Sequence, residues 1–286
     1  MLKPKKIVHL TDLHLGYYED DVVNSAKTVD RVKTWIMTNC TPRSDYVIVI
    51  TGDLVNNAYV PEQWGLSVKL IQQLSESAST GEKYEILLVP GNHDYGTGSN
   101  ADPKFVPIFK QQYFNDPIFA YPVVKIVGNG TTHEKVAFIG LDSNEGELNP
   151  QDHLLADGEI GGRQLGELER ALRRNDVRAS AYHVVYLHHH PFESLFFKPG
   201  HYLKDHDELK HVLKAAADDG IKVDALLFGH NHGGKPYHNK WGIRRVYDGG
   251  TTGGKRKPSF IRIIENLSDP DVDADKTVQF TDGTHS

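Results

Sequence analysis

The sequence predicts an α/β domain whose sheet is covered by helices on both faces. Two observations carry this prediction. Short β-rich apolar runs alternate with helix-length amphipathic segments along most of the 286 residues, and several of those runs break off into Gly, Asp, Asn and His. The clearest runs are Ile7 to Leu10, Tyr46 to Ile50, Ile86 to Val89, Val123 to Val127, Val136 to Leu141, Val184 to Leu187 and Ala225 to Phe228. Apolar residues recur at helical spacing over about Val23 to Met37, Glu62 to Ser77, Gly162 to Arg173 and Asp207 to Ala217. After Phe228 the pattern changes. Ile243 to Tyr247, Ser259 to Ile264 and Thr277 to Phe280 read as strands between Gly-rich turns, as in a meander on a second sheet. Asp269 to Asp275 is an acidic stretch expected to be mobile. No repeat or linker divides the chain. The expected organisation is one domain over residues 1–266, then an acidic tail over residues 267–286 ending in an edge strand.

Composition narrows the function classes. With 38% hydrophobic and 24% charged residues the chain is ordinary for a globular protein, and no apolar run approaches the roughly 18 residues that span a bilayer. Met1 to Lys6 is basic but leads into a strand instead of a signal-peptide apolar region, so a cytoplasmic location is expected. The single cysteine, Cys40, excludes an intramolecular disulfide and a thiolate metal cluster. A net charge of -6 argues against sequence-independent binding of long nucleic acid, and Lys255-Arg256-Lys257 reads as a solvated basic turn. A homo-oligomer is compatible with all of this. Sixteen histidines are many for this length, and their grouping matters more than their number.

Five apolar runs are followed at once by metal-binding residue types. These are Thr11-Asp12-Leu13-His14, Thr51-Gly52-Asp53, Pro90-Gly91-Asn92-His93-Asp94, His188-His189-His190-Pro191 and Gly229-His230-Asn231-His232. In open α/β sheets the ligand crevice lies beyond the carboxyl ends of the strands, so the five groups should meet. In Asp12-x-His14 and His230-x-His232 an extended chain would send both side chains to one side. Gly52, Gly91 and Gly229 allow close backbone approach. Oxygen and imidazole donors without sulfur suit Mn, Fe, Zn or Ni better than a pure Mg site. Two such ions about 3.5 to 4 Å apart turn a bridging water into hydroxide near neutral pH, which attacks phosphorus in line.

The order of these motifs resembles the calcineurin-like metallophosphoesterases, from Asp12 to His232. The resemblance implies a four-layer αββα sandwich of two mixed sheets flanked by helices, holding two divalent or mixed-valence ions. Asp12, His14, Asp53 and His232 would hold one ion; Asp53, Asn92, His189 and His230 would hold the other, with Asp53 bridging. His189 is chosen among the three consecutive histidines because the family places the ligand two residues before the proline, which leaves His190 to face the substrate. His93 would steady the phosphate and protonate the leaving group, with Asp94 orienting it. Asn56 and Asn57 receive no role.

The remaining histidines, including His9, His133, His153, His183, His206, His211 and His238, read as surface or packing residues. His201 lies in the aromatic loop from Phe192 to Asp205, a place for a substrate lid, and Tyr95 to Asn100 is a similar Gly-rich candidate. The expected activity is hydrolysis of a small phosphodiester of cyclic-nucleotide or glycerophosphodiester type. The chain looks like the class III cyclic-nucleotide phosphodiesterases, including Leu141-Asp142-Ser143 ahead of Gly158-Glu159-Ile160 and a helix. A phosphomonoesterase with the same ions is the nearest alternative, and a non-catalytic metal-binding scaffold the alternative from another class.

Overall fold

The computed structural model describes residues 2–16, 22–99, 101–131, 133–148, 156–192, 202–253 and 259–280. In chain order its first half runs β1 (Lys6–Leu10), α1 (Val22–Asn39), β2 (Tyr46–Thr51), α2 (Pro61–Ser75), β3 (Glu85–Val89), α3 (Phe105–Phe114), β4 (Val123–Val127) and β5 (Val136–Gly140). The second half runs α4 (Gly162–Leu172), α5 (Asn175–Arg178), β6 (Tyr182–Tyr186), α6 (His206–Asp218), β7 (Ala225–Phe228), β8 (Arg245–Asp248), β9 (Ser259–Ile264) and β10 (Lys276–Phe280). The strands form two five-stranded sheets, β10-β9-β1-β2-β3 and β4-β5-β6-β7-β8. In the first, β1, β2 and β3 are parallel and β9 runs antiparallel to both of its neighbours, β1 and β10; in the second only β4 is antiparallel.

The strands read as unbroken apolar runs because both faces are buried. Ile7, Val47, Val49 and Val89 meet Phe138, Val184, Tyr186 and Leu227 between the sheets. On the outer face of the first sheet, Val8, Ile48, Ile50 and Leu88 pack under Val32, Ile36, Leu70, Leu74 and Phe109 from α1, α2 and α3. On the outer face of the second, Ile139, Val185, Leu226 and Val246 pack under Leu165, Leu168, Leu209 and Leu213 from α4 and α6. The layers therefore run helix, sheet, sheet, helix, as the motif order implies. Cys40 is buried in the first outer core, and burial pushes its thiol up to about 12. No helix among the described residues is long and apolar enough to cross a membrane.

The C-terminal part differs from the expected meander. β8 continues the second sheet in parallel with β7, whereas the β9–β10 hairpin returns to β1 in the first sheet, so the three strands divide between two sheets. The acidic stretch before β10, expected to be mobile, packs around Arg245. Its side chain is 1% exposed and donates to Asp275 Oδ2 at 2.8 Å, to Asn266 O at 3.1 Å and to Asp269 O at 2.8 Å. Tyr247 Oη adds a bond to Asp275 Oδ2 at 2.6 Å. The acidic segment thus wraps a buried cation. Arg245→Met would leave the buried Asp275 carboxylate without its counter-charge and several carbonyls without this donor, and removing one partner of a buried pair costs about 3–5 kcal/mol. We expect thermal unfolding to shift down by roughly 10 °C at 2–4 °C per kcal/mol for a domain of this size; an unchanged midpoint in calorimetry would show that Arg245 does not anchor the segment.

Candidate metal centre

All five motif groups lie at the carboxyl ends of β1, β2, β3, β6 and β7, and they meet at the seam between the two sheets. The extended-chain argument for the His and Asp pairs does not hold, however. Asp12, His14, Asp53, His230 and His232 all have left-handed backbones, with φ of 51°, 43°, 53°, 72° and 52°. Backbone pairing between the strand ends fixes these loops: Asp12 N donates to Gly52 O at 3.0 Å and His14 N to Asp53 O at 2.9 Å.

Asp53 occupies the middle. Its Oδ1 accepts the His93 backbone N–H at 2.9 Å, which leaves Oδ2 facing His14 Nε2 at 3.6 Å on one side and His188 Nε2 at 3.5 Å on the other. A Cβ on Gly91 would run into the Asp53 carboxylate, so glycine is required there. On the His14 side, Asp12 Oδ2 is held by Thr11 Oγ1 at 2.6 Å and by the His230 N–H at 3.0 Å. This turns Asp12 Oδ1 toward His232 Nε2, 2.9 Å away, and His14 Nε2 lies 3.0 Å from His232 Nε2. On the other side, Asn92 Nδ2 donates to Gly98 O at 2.6 Å, aiming Oδ1 at His188 Nε2 at 2.9 Å and His230 Nδ1 at 3.2 Å.

The electrostatics suit cation binding. Burial pushes the His14, His188 and His189 imidazoles below their ordinary value, so each is neutral with a lone pair available. Burial alone would raise Asp12, but the His232 charge and the hydrogen bonds from His14 and His232 hold it well below the ordinary carboxylate value. Asp12 Oδ1 is buried and faces His232 Nε2 at 2.9 Å and His14 Nε2 at 3.6 Å. Oxygen and nitrogen atoms of Asp12, His14, Asp53 and His232, and of Asp53, Asn92, His188 and His230, therefore converge in two groups. Divalent cations fit both groups.

The pattern of the calcineurin-like phosphoesterases matches residues 5–234. The chain belongs to that family. No curated protein matches it. Among solved structures, a dimetal phosphatase from Danio rerio superposes with a TM-score of 0.63 at 13% identity, covering 98% of this chain and 100% of that one. A purple acid phosphatase from yellow lupin (Lupinus luteus) seeds gives 0.58 at 12% identity, covering 94% and 50%. A Staphylococcus aureus protein described as a 5′-nucleotidase gives 0.57 at 16% identity, covering 98% and 55%. This chain thus spans about half the length of the last two. At such identities the likeness is one of fold, and the fold is that of the calcineurin-like phosphoesterases.

Several side chains of this calcineurin-like phosphoesterase sit elsewhere than sequence reasoning puts them. His188, not His189, directs Nε2 at Asp53 and Asn92; its Nδ1 is tied to Thr51 O at 2.7 Å across the seam. His190 packs against Phe228 and Tyr237, with Nε2 3.1 Å from Tyr237 Oη, on the outer, helix-covered side. Asp94 does not touch the His93 ring in any hydrogen bond of the site. Its carboxylate accepts Leu54 N, Val55 N and Gly91 N at 3.0, 3.1 and 2.9 Å, so it braces the Asp53 loop, and burial and nearby Asp53 raise it to about 8. The His93 ring is oriented by the Asn56 carbonyl, 2.6 Å from Nδ1. Sequence reasoning missed this partner because it is backbone, which no residue type announces. Of the remaining expectations, those on His153, His201, Lys255 to Lys257 and, within the lid candidate from Phe192 to Asp205, residues 193–201 fall outside the described residues.

The left-handed donors have a measurable consequence. A non-glycine residue in that conformation costs about 1–2 kcal/mol. In the metal-free protein, His232→Gly should therefore unfold about 1 kcal/mol less readily than His232→Ala, although both lose the same donor. Equal stability of the two variants in chelator-treated melts would refute backbone strain at His232.

Proposed function

We propose that this phosphoesterase hydrolyses small phosphodiesters at two divalent ions, one held by Asp12, His14, Asp53 and His232 and the other by Asp53, Asn92, His188 and His230. His188 takes the place expected for His189. The observation that carries the reading is Asp53 Oδ2, 3.6 Å from His14 Nε2 and 3.5 Å from His188 Nε2, a carboxylate oxygen shared by two donor groups. When bound, such ions supply a nucleophile from water and neutralise charge on the phosphoryl oxygens. The donor set, nitrogen and oxygen without sulfur, favours Mn, Fe or Zn. His93 serves the leaving group: with Nδ1–H donated to the Asn56 carbonyl, Nε2 is the atom that carries the proton to be transferred. Asp94 acts through the loop it braces.

The preference for diesters rests on the resemblance carried by Leu141-Asp142-Ser143 and Gly158-Glu159-Ile160. The two segments lie together at the site: Glu159 N donates to Ser143 O at 2.8 Å, and Ser143 Oγ lies 2.8 Å from His189 Nδ1. Hydrolysis of monoesters is the second reading, favoured by the descriptions of the three structures above as phosphatases or a nucleotidase. The test is protein reconstituted with Mn, Fe or Zn and assayed on bis(p-nitrophenyl) phosphate, p-nitrophenyl phosphate, and 2′,3′- and 3′,5′-cyclic nucleotides. A higher kcat/KM on the diesters is expected; faster turnover of p-nitrophenyl phosphate would favour the second reading, and metal-loaded protein inert on all of them would make the fold a scaffold.

A further inference from the structure

The donors of the first ion, the one held by Asp12, His14, Asp53 and His232, come from both sheets. Asp12 and His14 follow β1 and Asp53 follows β2 in the first sheet, whereas His232 follows β7 in the second. An ion there needs the two sheet ends held at one spacing. β8 ends in the second sheet beside β7, and β9 begins in the first beside β1, so the chain that leaves β8 crosses the seam next to this group. Asp248, Thr251 and Thr252, at the start of the crossing, are buried.

The crossing segment grips both sides. Toward β7, Asp248 Oδ2 accepts the Gly233 N–H at 3.0 Å, and Gly249 N donates to Phe228 O at 2.9 Å. Gly233 directly follows His232, and a Cβ there would strike Asp248 Oδ2. The other oxygen, Oδ1, accepts the Gly250 N–H at 2.8 Å. A buried carboxylate is costly unless its oxygens are hydrogen-bonded, and both of these are. Toward β1, Thr252 N donates to Thr11 O at 2.8 Å while Thr252 Oγ1 accepts the Thr11 N–H at 3.1 Å. Asp12 O takes two bonds, from Thr251 Oγ1 at 2.9 Å and from Gly253 N at 3.1 Å. Gly249 passes so close to β1 that a Cβ would run into the His9 ring and the Thr11 methyl.

The same segment thus fixes the backbone of Asp12 on one side and the peptide after His232 on the other. Asp12 Oδ1 and His232 Nε2 face each other between these anchors, 2.9 Å apart. The direct tie from the His230 N–H to Asp12 Oδ2 ends on a side chain that can rotate, so it sets no spacing unless the Asp12 backbone is held. The second donor group has its own strut across the seam, from His188 Nδ1 to Thr51 O at 2.7 Å. We infer that Asp248 to Gly253 is a brace that sets the width of the first ion's site, with Asp248 and Thr251 as the positioning residues for His232 and Asp12. The inference rests on the two-ion reading and adds residues that lie outside the five motif groups. Partners of this kind, which orient ligands without touching the ion, are typically worth ~10–100-fold in metal affinity.

The test is a chelator-competition titration of the metal-stripped full chain with Zn, in which His14→Ala and His188→Ala mark which binding step belongs to which ion. The parent should take up two ions. Asp248→Ala and Thr251→Val should each weaken the first ion by ~10–100-fold and leave the second at parental affinity. Thr251→Ser, which keeps the hydroxyl that donates to Asp12 O, should bind the first ion as the parent does. Thr251→Val removes a single hydroxyl and decides the matter if Asp248→Ala does not fold. Parental affinity for the first ion in Thr251→Val, equal weakening of both ions, or a loss confined to thermal stability overturns the brace. A parent that takes up fewer than two ions overturns the two-ion reading, and the brace falls with it.

Discussion

Asp53→Asn should strip both ions together and lower turnover by on the order of 10³-fold or more, at or beyond the upper end of the 10²–10³-fold that loss of one electrostatic stabiliser typically costs. The geometry explains why the effect is joint. Asp53 Oδ1 accepts the His93 N–H, so in the variant the amide oxygen keeps that bond and the NH2 group turns to where Oδ2 was, between His14 and His188. A shared anionic acceptor becomes a shared donor, and a donor repels cations from both sides. Substituting any other single residue of the set removes a donor from one position. Metal analysis after gel filtration checks this directly, and so does unfolding with and without added Mn. A ligand that binds only the folded protein raises its stability by RT ln(1 + [L]/Kd), so the parent should melt higher with metal and Asp53→Asn should not. Two tightly bound ions with a normal rate would refute the shared role.

Much of this centre was legible before any coordinates because the evidence was joint: five motif groups at five strand ends can meet at one place only. What escaped was decided by the parity of a strand. Tyr186 faces the seam between the sheets and Leu187 the helix-covered side, so two-residue alternation sends His188 back to the seam, where Thr51 and Asp53 wait. Counting from the apolar faces of β6 points to His188 and counting back from Pro191 to His189, and both rings lie in one group with His230. The misassigned role of Asp94 has a different origin. Adjacent residues in the tight turn after β3 point apart, and Asp94 turns inward to three backbone N–H groups. The helix α3 went unread because Pro103 and Pro107 look like loop punctuation, although Phe105, Phe109 and Tyr113 recur at helical spacing and pack together with Trp64. Asp269 to Asp275 read as mobile because its partner, Arg245, is distant in sequence and only the folded chain brings the two together.

His93→Ala should leave metal content near that of the parent while slowing substrates in proportion to how poor their leaving groups are. Metal content survives because the contact from His93 to Asp53 Oδ1 is made by the backbone N–H, which alanine retains. On the proposed role the chemistry should not survive, because the Asn56 carbonyl lies 2.6 Å from Nδ1 and so leaves Nε2 as the nitrogen to carry the proton. A positioned general acid contributes about 10²–10⁴-fold, and that contribution matters where the departing oxygen is basic. Aliphatic esters should therefore lose most of that factor and p-nitrophenyl esters much less, giving a steeper dependence of log kcat/KM on leaving-group pKa. Gly98→Ala supplies the control that keeps the ring. Gly98 has φ of 94°, and a Cβ there would collide with the His93 imidazole, so the ring must move while its proton chemistry remains. A weaker version of the same steepening is expected in that variant; a uniform loss across leaving groups in His93→Ala would remove His93 as the acid and leave it a phosphate contact.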